Sequence, residues 1–196
     1  MQLTGKITVD SLMTLEAYSK WRKAHKPEVI AHRKLRSVHL GDHVTLQFES
    51  ETTIRYQIQE MLRIEKMFED AGIQDELDVY NPLVPDGTNL KATMLIEYED
   101  ENERRDALAR LRGIENHVWV RVAGFDTIHA IADEDLERET DEKTSSVHFL
   151  RFELTPPMIA AFRQGADVAM GIDHPAYQVD QPLSESVRKA LAVDFA

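Results

Sequence analysis

Between Ser145 and Tyr177 the chain reads SSVHFLRFELTPPMIAAFRQGADVAMGIDHPAY, and that order of residue types leaves it little conformational freedom. Val147 to Leu154 is an almost continuous apolar and aromatic run, the pattern of a strand. Thr155 can cap a helix, and Pro156 stands at a first helical position, where a missing N–H removes no bond. Gly165 ends that helix. Ala166 to Ile172 is a second apolar run, closed by Asp173-His174-Pro175. The stretch predicts strand, helix, strand.

The plan occurs a second time upstream. Ala92 to Tyr98 reads as a strand, and Asp100 with Glu103 forms a capping-box-like start. Arg104 to Arg112 continues the helix, Gly113-Ile114 stops it, and His117 to Val122 is again a strand. Two such units in series give the β-α-β-β-α-β order of ferredoxin-like folds. Before them, Asp10 caps a helix from Ser11 to about His25, and Pro27 opens a second, basic helix to about Leu35. Val38 to Leu40 and Val44 to Glu49 read as a hairpin with a half-buried second strand. Thr52 to Ala71 is the longest helix, stopped at Gly72, and Ile73 to Tyr80 is a short one. Thr127 to Ala132 returns as a strand, and an acidic connection runs to Lys143. A last helix covers Leu183 to Val193. The expected fold is α+β, one compact domain over 1–196. A mostly helical N-terminal half with a hairpin (1–90) packs on a ferredoxin-like or related mixed β-sheet half with two β-α-β units (91–178), followed by the C-terminal helix (179–196). A six-stranded mixed sheet is the main alternative.

Composition narrows the function classes. There is no cysteine, which removes disulfides, thiolate metal sites and a Cys nucleophile together. No apolar run approaches the roughly 18 residues of a membrane span, and the first residues lack the pattern of a signal peptide. The expectation is a cytoplasmic protein with no membrane role. A net charge of −12 argues against general nucleic-acid binding. The charge is uneven, however. Lys20, Arg22, Lys23, Lys26, Arg33, Lys34 and Arg36 form a basic block that could take RNA or a small anion, and an acidic block follows Asp133. Meeting of opposite blocks within one molecule, or simple solvation, explains both more economically.

The chemistry-bearing candidates are few. Eight histidines include no HxH, HExxH or HxxxH pair that makes a metal site by spacing. His148 shares a strand face with Leu150, Phe152 and Leu154 and reads first as a hydrogen-bonded core His. His174 ends a strand before Pro175, a common ligand position in open α/β sheets, and in a ferredoxin-like sheet His117 would lie at the same edge. Counting outward from Gly124 sets Arg121 against His129 and Trp119 against Ile131, so Trp119, Arg121 and His129 make a patch able to stack a ring or pair with an anion. Glu65 falls inside the apolar face made by Ile54, Ile58, Met61, Leu62, Ile64 and Phe68. A carboxylate there needs a partner, such as Arg151, a His or a metal. Glu65 or Glu60 with His148 or His174 would be the ligand set for a divalent Fe, Mn or Zn ion. No GxSxG, P-loop or GxGxxG occurs.

The segments YQIQEMLRIEK (Tyr56–Lys66), ELDVYNPLVP (Glu76–Pro85), ATMLIE (Ala92–Glu97), LRGIENHV (Leu111–Val118), VHFLRFEL and GIDHPAY together resemble a bacterial family catalogued only as a domain of unknown function, family 3501. The resemblance spans nearly the whole chain. It implies recurrent polar positions at Gln59, Glu60, Arg63, Glu65, Asn81, His117, His148, Arg151 and His174. It also implies an iron or peroxide-stress setting, with a rubrerythrin-like or iron–sulfur redox protein as partner. The expectation is a non-catalytic accessory or ligand-binding protein, with a homodimer expected from base rates. A metal-dependent redox or hydrolytic enzyme is the alternative, and RNA or anion binding through 20–36 the second.

Overall fold

The computed structural model describes residues 6–196. In chain order the helices and strands are α1 (Leu15–Lys34), β1 (Ser37–Leu40), β2 (Val44–Phe48), α2 (Glu51–Glu65), α3 (Asp70–Tyr80), β3 (Asn89–Ile96), α4 (Glu101–Arg110), β4 (Val118–Val122), β5 (Ile128–His129), β6 (Ile131–Ala132), β7 (Val147–Glu153), α5 (Pro156–Gln164), β8 (Val168–His174), β9 (Tyr177–Pro182) and α6 (Glu185–Ala192). The fold is α+β, with six α-helices and two antiparallel sheets among the described residues.

The local signals in the two repeated units behave as their chemistry dictates. The Asp100 carboxylate accepts from the Asn102 and Glu103 N–H groups at 2.8 and 2.9 Å and starts α4. Gly165 takes φ +101° and ends α5, a conformation that costs a Cβ-bearing residue energy.

Strand partnership differs from the expected ferredoxin-like sheet. The sheets have orders β1-β2-β3-β7-β6 and β5-β4-β8-β9. Each strand-helix-strand unit therefore places its first strand in one sheet and its second in the other. The crossovers never return to their own sheet, so the handedness rule for parallel strands has nothing to act on. Neither the ferredoxin-like half nor the six-stranded mixed sheet is found. The hairpin assigned to a helical first half forms two of the five strands of the larger sheet. Both sheets deliver residues to one core cluster: Leu46, Met94 and Phe152 from the first, Val120, Val168 and Ile172 from the second. A second cluster of Ile7, Ile54, Ile58, Leu62, Leu77 and Val84 lies among the N-terminal helices.

Four further differences have local causes. Pro27 lies inside α1 and opens no new helix; the chain stays helical on either side of it because Tyr18 and Val29 are both buried. The long helix stops at Glu65 because Lys66 adopts φ +50°, ψ +46°, and α3 begins afresh at Asp70. The Thr127–Ala132 strand divides at Ala130, β5 joining β4 and β6 joining β7. Finally, β9 pairs with β8, where sequence alternation is too weak to mark a strand. Among the described residues no helix is long and apolar enough to cross a membrane.

Candidate functional site

Antiparallel pairing of β4 with β5 and β8 gathers several sequence candidates on one face. Trp119 sits opposite both His129 and Gly171, so the expected Arg121–His129 and Trp119–Ile131 registers are corrected. The cause is the split strand, since Ile131 leaves for the other sheet and pairs with Arg151. Asp173, which sequence reasoning overlooked, is the hub. Its carboxylate oxygens lie 2.8 Å from His117 Nδ1 and 2.8 Å from His129 Nε2. The imidazole of His129 most strongly, with help from that of His117, holds the Asp173 carboxyl below its usual range although burial pushes it up. Arg121 donates to Asp180 at 2.8 Å and lies 4.8 Å from the Trp119 ring centroid. The Trp119 indole packs against Gly171, where an added Cβ would overlap the indole and the Val179 carbonyl oxygen. Position 171 thus admits only glycine without rearrangement. Every charge on this face already has a partner.

His174 approaches the group edge-on, its ring centroid 5.2 Å from that of His117, but its nitrogens are committed inward. Nδ1 accepts the Ala176 N–H at 3.1 Å, so Nε2 carries the hydrogen and donates to the Arg112 carbonyl at 3.0 Å. That is the bonding of a turn lock, with no lone pair left for a ligand. Among the described residues no group of three His, Asp or Glu side chains is arranged to hold a metal ion.

The remaining candidates do not join this face. Glu65 is exposed at the end of α2, and its supposed apolar neighbours Ile64 and Phe68 are 58% and 71% exposed. Ile54, Ile58 and Leu62 of that face are buried, but the early helix stop leaves its C-terminal end in solvent. Arg151 pairs with Glu134 at 2.8 Å and Glu153 at 2.6 Å, and makes no ion pair with Glu65. His148 is fully buried between Asp133 and Thr144. Part of the basic block is consumed internally: Arg22 by Glu60, Lys20 by Glu16, and Arg36 by Asp194.

Glu60 clamps α1 to α2. It accepts from the Tyr18 hydroxyl at 2.8 Å and from Arg22 at 2.6 and 3.0 Å, with Arg63 at 3.3 Å. Burial pushes its carboxyl up, but these donors outweigh burial and bring it from 4.5 down to about 2. A depressed carboxyl contributes stability above its unfolded value and loses it as pH falls through the folded one. The clamp is therefore expected to contribute about 1–2 kcal/mol above pH 4.5, after allowance for solvent screening. That contribution should fade between pH 4.5 and about 2. Urea titrations of wild type and Glu60→Gln across this range check it. The two stability curves should converge on acidification, and a constant gap would refute the assignment.

A different arrangement lies under the helices. Val44–Phe48 is buried at every position, polar residues included, because α1 and α2 cover the face that alternation assigns to solvent. At the strand's end Glu49 is 6% exposed. Its Oε2 accepts the Thr53 hydroxyl at 2.5 Å and its Oε1 accepts the Thr93 hydroxyl at 2.7 Å. The carboxylate borders a pocket of about 240 Å³ with Ile54, Leu83, Leu95 and Phe149 among its walls and Arg33 and Gln57 also on its boundary. Of the residues around this pocket only Arg33 belongs to a candidate site read from sequence, the basic block. The available signal was Glu49 immediately before the Ser50–Thr53 helix start, whose two side chains cap each other's backbone N–H.

Fold and pocket together define a two-sheet α+β protein with a partly open pocket of mixed apolar and polar lining and no recognisable nucleophile motif. The chain belongs to the family described as protein of unknown function (DUF3501), whose model matches residues 6–195. It is also similar to a crystal structure of a novel protein of unknown function from Burkholderia pseudomallei K96243. The two share 56% identity with a TM-score of 0.93, over 98% of this chain and 100% of the other. No curated protein matches.

Proposed function

We propose that this protein works by binding a small molecule in the pocket between the β2-β3-β7 face and α2–α3. The observation that carries the reading is Glu49: a buried carboxylate on the boundary of a cavity lined by both apolar and polar side chains. Concave apolar sites with a few convergent polar groups are where small ligands bind. The exposed His117–Asp173–His129 face fits this role less well, because its polar groups already bond one another.

Binding to the folded state alone raises stability, by about 2.7 kcal/mol at a ligand concentration a hundred times Kd. A thermal-shift screen of short amines, alcohols, amides and carboxylic acids should therefore yield at least one compound that raises Tm. Gln57→Trp, which fills the pocket from a partly exposed helix position, should abolish the shift while circular dichroism stays unchanged. A shift of equal size in Gln57→Trp, or none with any compound, would overturn the reading.

A further inference from the structure

We propose that the pocket's ligand carries a primary ammonium group on a short apolar body, with Glu49 as its counter-ion. This rests on the pocket reading above. A carboxylate as buried as Glu49 is ordinarily paired with a cation or neutralised. Here the side chains bonded to it, Thr53 and Thr93, are neutral hydroxyls. Among the described residues no Lys, Arg or His nitrogen lies within 4.0 Å of the carboxylate. Arg36 donates to the Glu49 main-chain carbonyl at 2.8 Å, but its carboxylate partner is Asp194.

The fold fixes this carboxyl group in place. Glu49 immediately precedes Ser50, the N-cap of α2, where the first-turn N–H groups and the helix dipole favour negative charge. The two hydroxyls fix the carboxylate's orientation while using about half of its roughly four acceptor positions. The others are free for an N–H donor in the pocket. An ammonium group answers this arrangement best, because a charge-assisted bond is roughly twice as strong as a neutral one. Leu95, Phe149 and Leu83 suit a hydrocarbon body. The 240 Å³ volume lies below the roughly 300–1,000 Å³ typical of ligand pockets, which keeps the ligand small. Arg33 also borders the cavity, and among the described residues it makes no ion pair, so a carboxylic acid is the competing ligand that a test must include.

Isothermal titration of the full chain with phenethylamine, phenethyl alcohol and hydrocinnamate separates these possibilities, since the three share a body and differ in the head group. The amine should bind at least about tenfold more tightly than the alcohol, about 1.4 kcal/mol. Glu49→Gln should lose about tenfold for the amine and so remove most of the amine's advantage over the alcohol. The wild-type ranking needs no variant, so a poorly folded Glu49→Gln cannot rescue the proposal. Alcohol or acid binding as tight as the amine, or amine binding unaffected by Glu49→Gln, overturns the ammonium assignment. If such binding is still lost in Gln57→Trp, the pocket reading stands. Failure of all three compounds to bind overturns the assignment as well, and the broader thermal-shift screen then decides the pocket reading separately.

Discussion

Arg36→Met is expected to cost about 3–5 kcal/mol of folding stability, the range for breaking a buried ion pair by removing one partner. Arg36 is fully buried, and its guanidinium donates to Asp194 and to the carbonyls of Phe48, Glu49 and Ala190. It ties the end of β2 to the last turn of α6, across a sequence separation of 158 residues for the Asp194 bond. Methionine replaces the hydrocarbon stem but supplies none of the four donors. Burial pushes the Asp194 carboxyl up, and Arg36 pulls it back. Without Arg36 only burial remains, and the folded state holds a proton that the unfolded chain releases. Stability then falls as pH rises above the unfolded carboxylate value. The deficit of Arg36→Met should accordingly be larger at pH 7 than near pH 4. Arg36→Met/Asp194→Asn should lose that pH dependence and recover part, but not all, of the deficit, since the Phe48, Glu49 and Ala190 carbonyls still lack the Arg36 donors. Urea denaturation at the two pH values checks this, and a deficit under about 1 kcal/mol at neutral pH, the size expected of an exposed pair, would refute it.

His148→Leu is expected to lower stability by a similar 3–5 kcal/mol, through the same loss of one member of a buried charged network. The ring is fully buried. Nδ1 lies 2.6 Å from an Asp133 carboxylate oxygen, and Nε2 lies 2.9 Å from the Thr144 hydroxyl and 3.0 Å from the Ser145 carbonyl. Glu115, itself buried, stands 3.9 Å from Nε2 and accepts the Thr144 hydroxyl at 3.3 Å. The Asp133 carboxyl group and the Ser145 carbonyl thus face the two ring nitrogens from opposite sides. Asp133 is further committed, taking the Phe149 N–H at 2.9 Å and Arg138 at 3.0 Å while holding φ at +49°. Leucine matches the volume but leaves Glu115 and Thr144 without the ring and Asp133 with one donor fewer. The expected result is a lower urea midpoint with an unchanged slope, the mark of altered stability alone. An unchanged midpoint would show that the network is replaceable by packing.

Little of the pocket was legible in the sequence. Alternation along Val44–Glu49 correctly separates two faces, but it cannot say that helices cover the polar one. Glu49 therefore reads as solvent-facing when it is buried. Glu65 fails in the opposite direction. Its helical phase is right as far as the helix runs, yet a single left-handed residue, Lys66, ends α2 and leaves Glu65 exposed. The His117, Trp119, Arg121 and His129 group was partly legible, because side chains two apart on a strand share a face. Asp173, its hub, belongs to a strand reached only through long-range pairing.

Capping residues, glycine stops and apolar runs act over a few residues, so they are written directly in the chain. They account for the starts of α2 and α4, the end of α5 and the α+β character. The family membership too is carried by segments readable in order. Which strands become neighbours is a different kind of information. β3 and β7, or β4 and β8, pair because burial of their apolar faces in one shared core outweighs the entropy of closing long loops. That balance depends on the whole chain at once. The same balance buries Arg36, His148 and Glu49, whose meaning lies in partners far away in sequence.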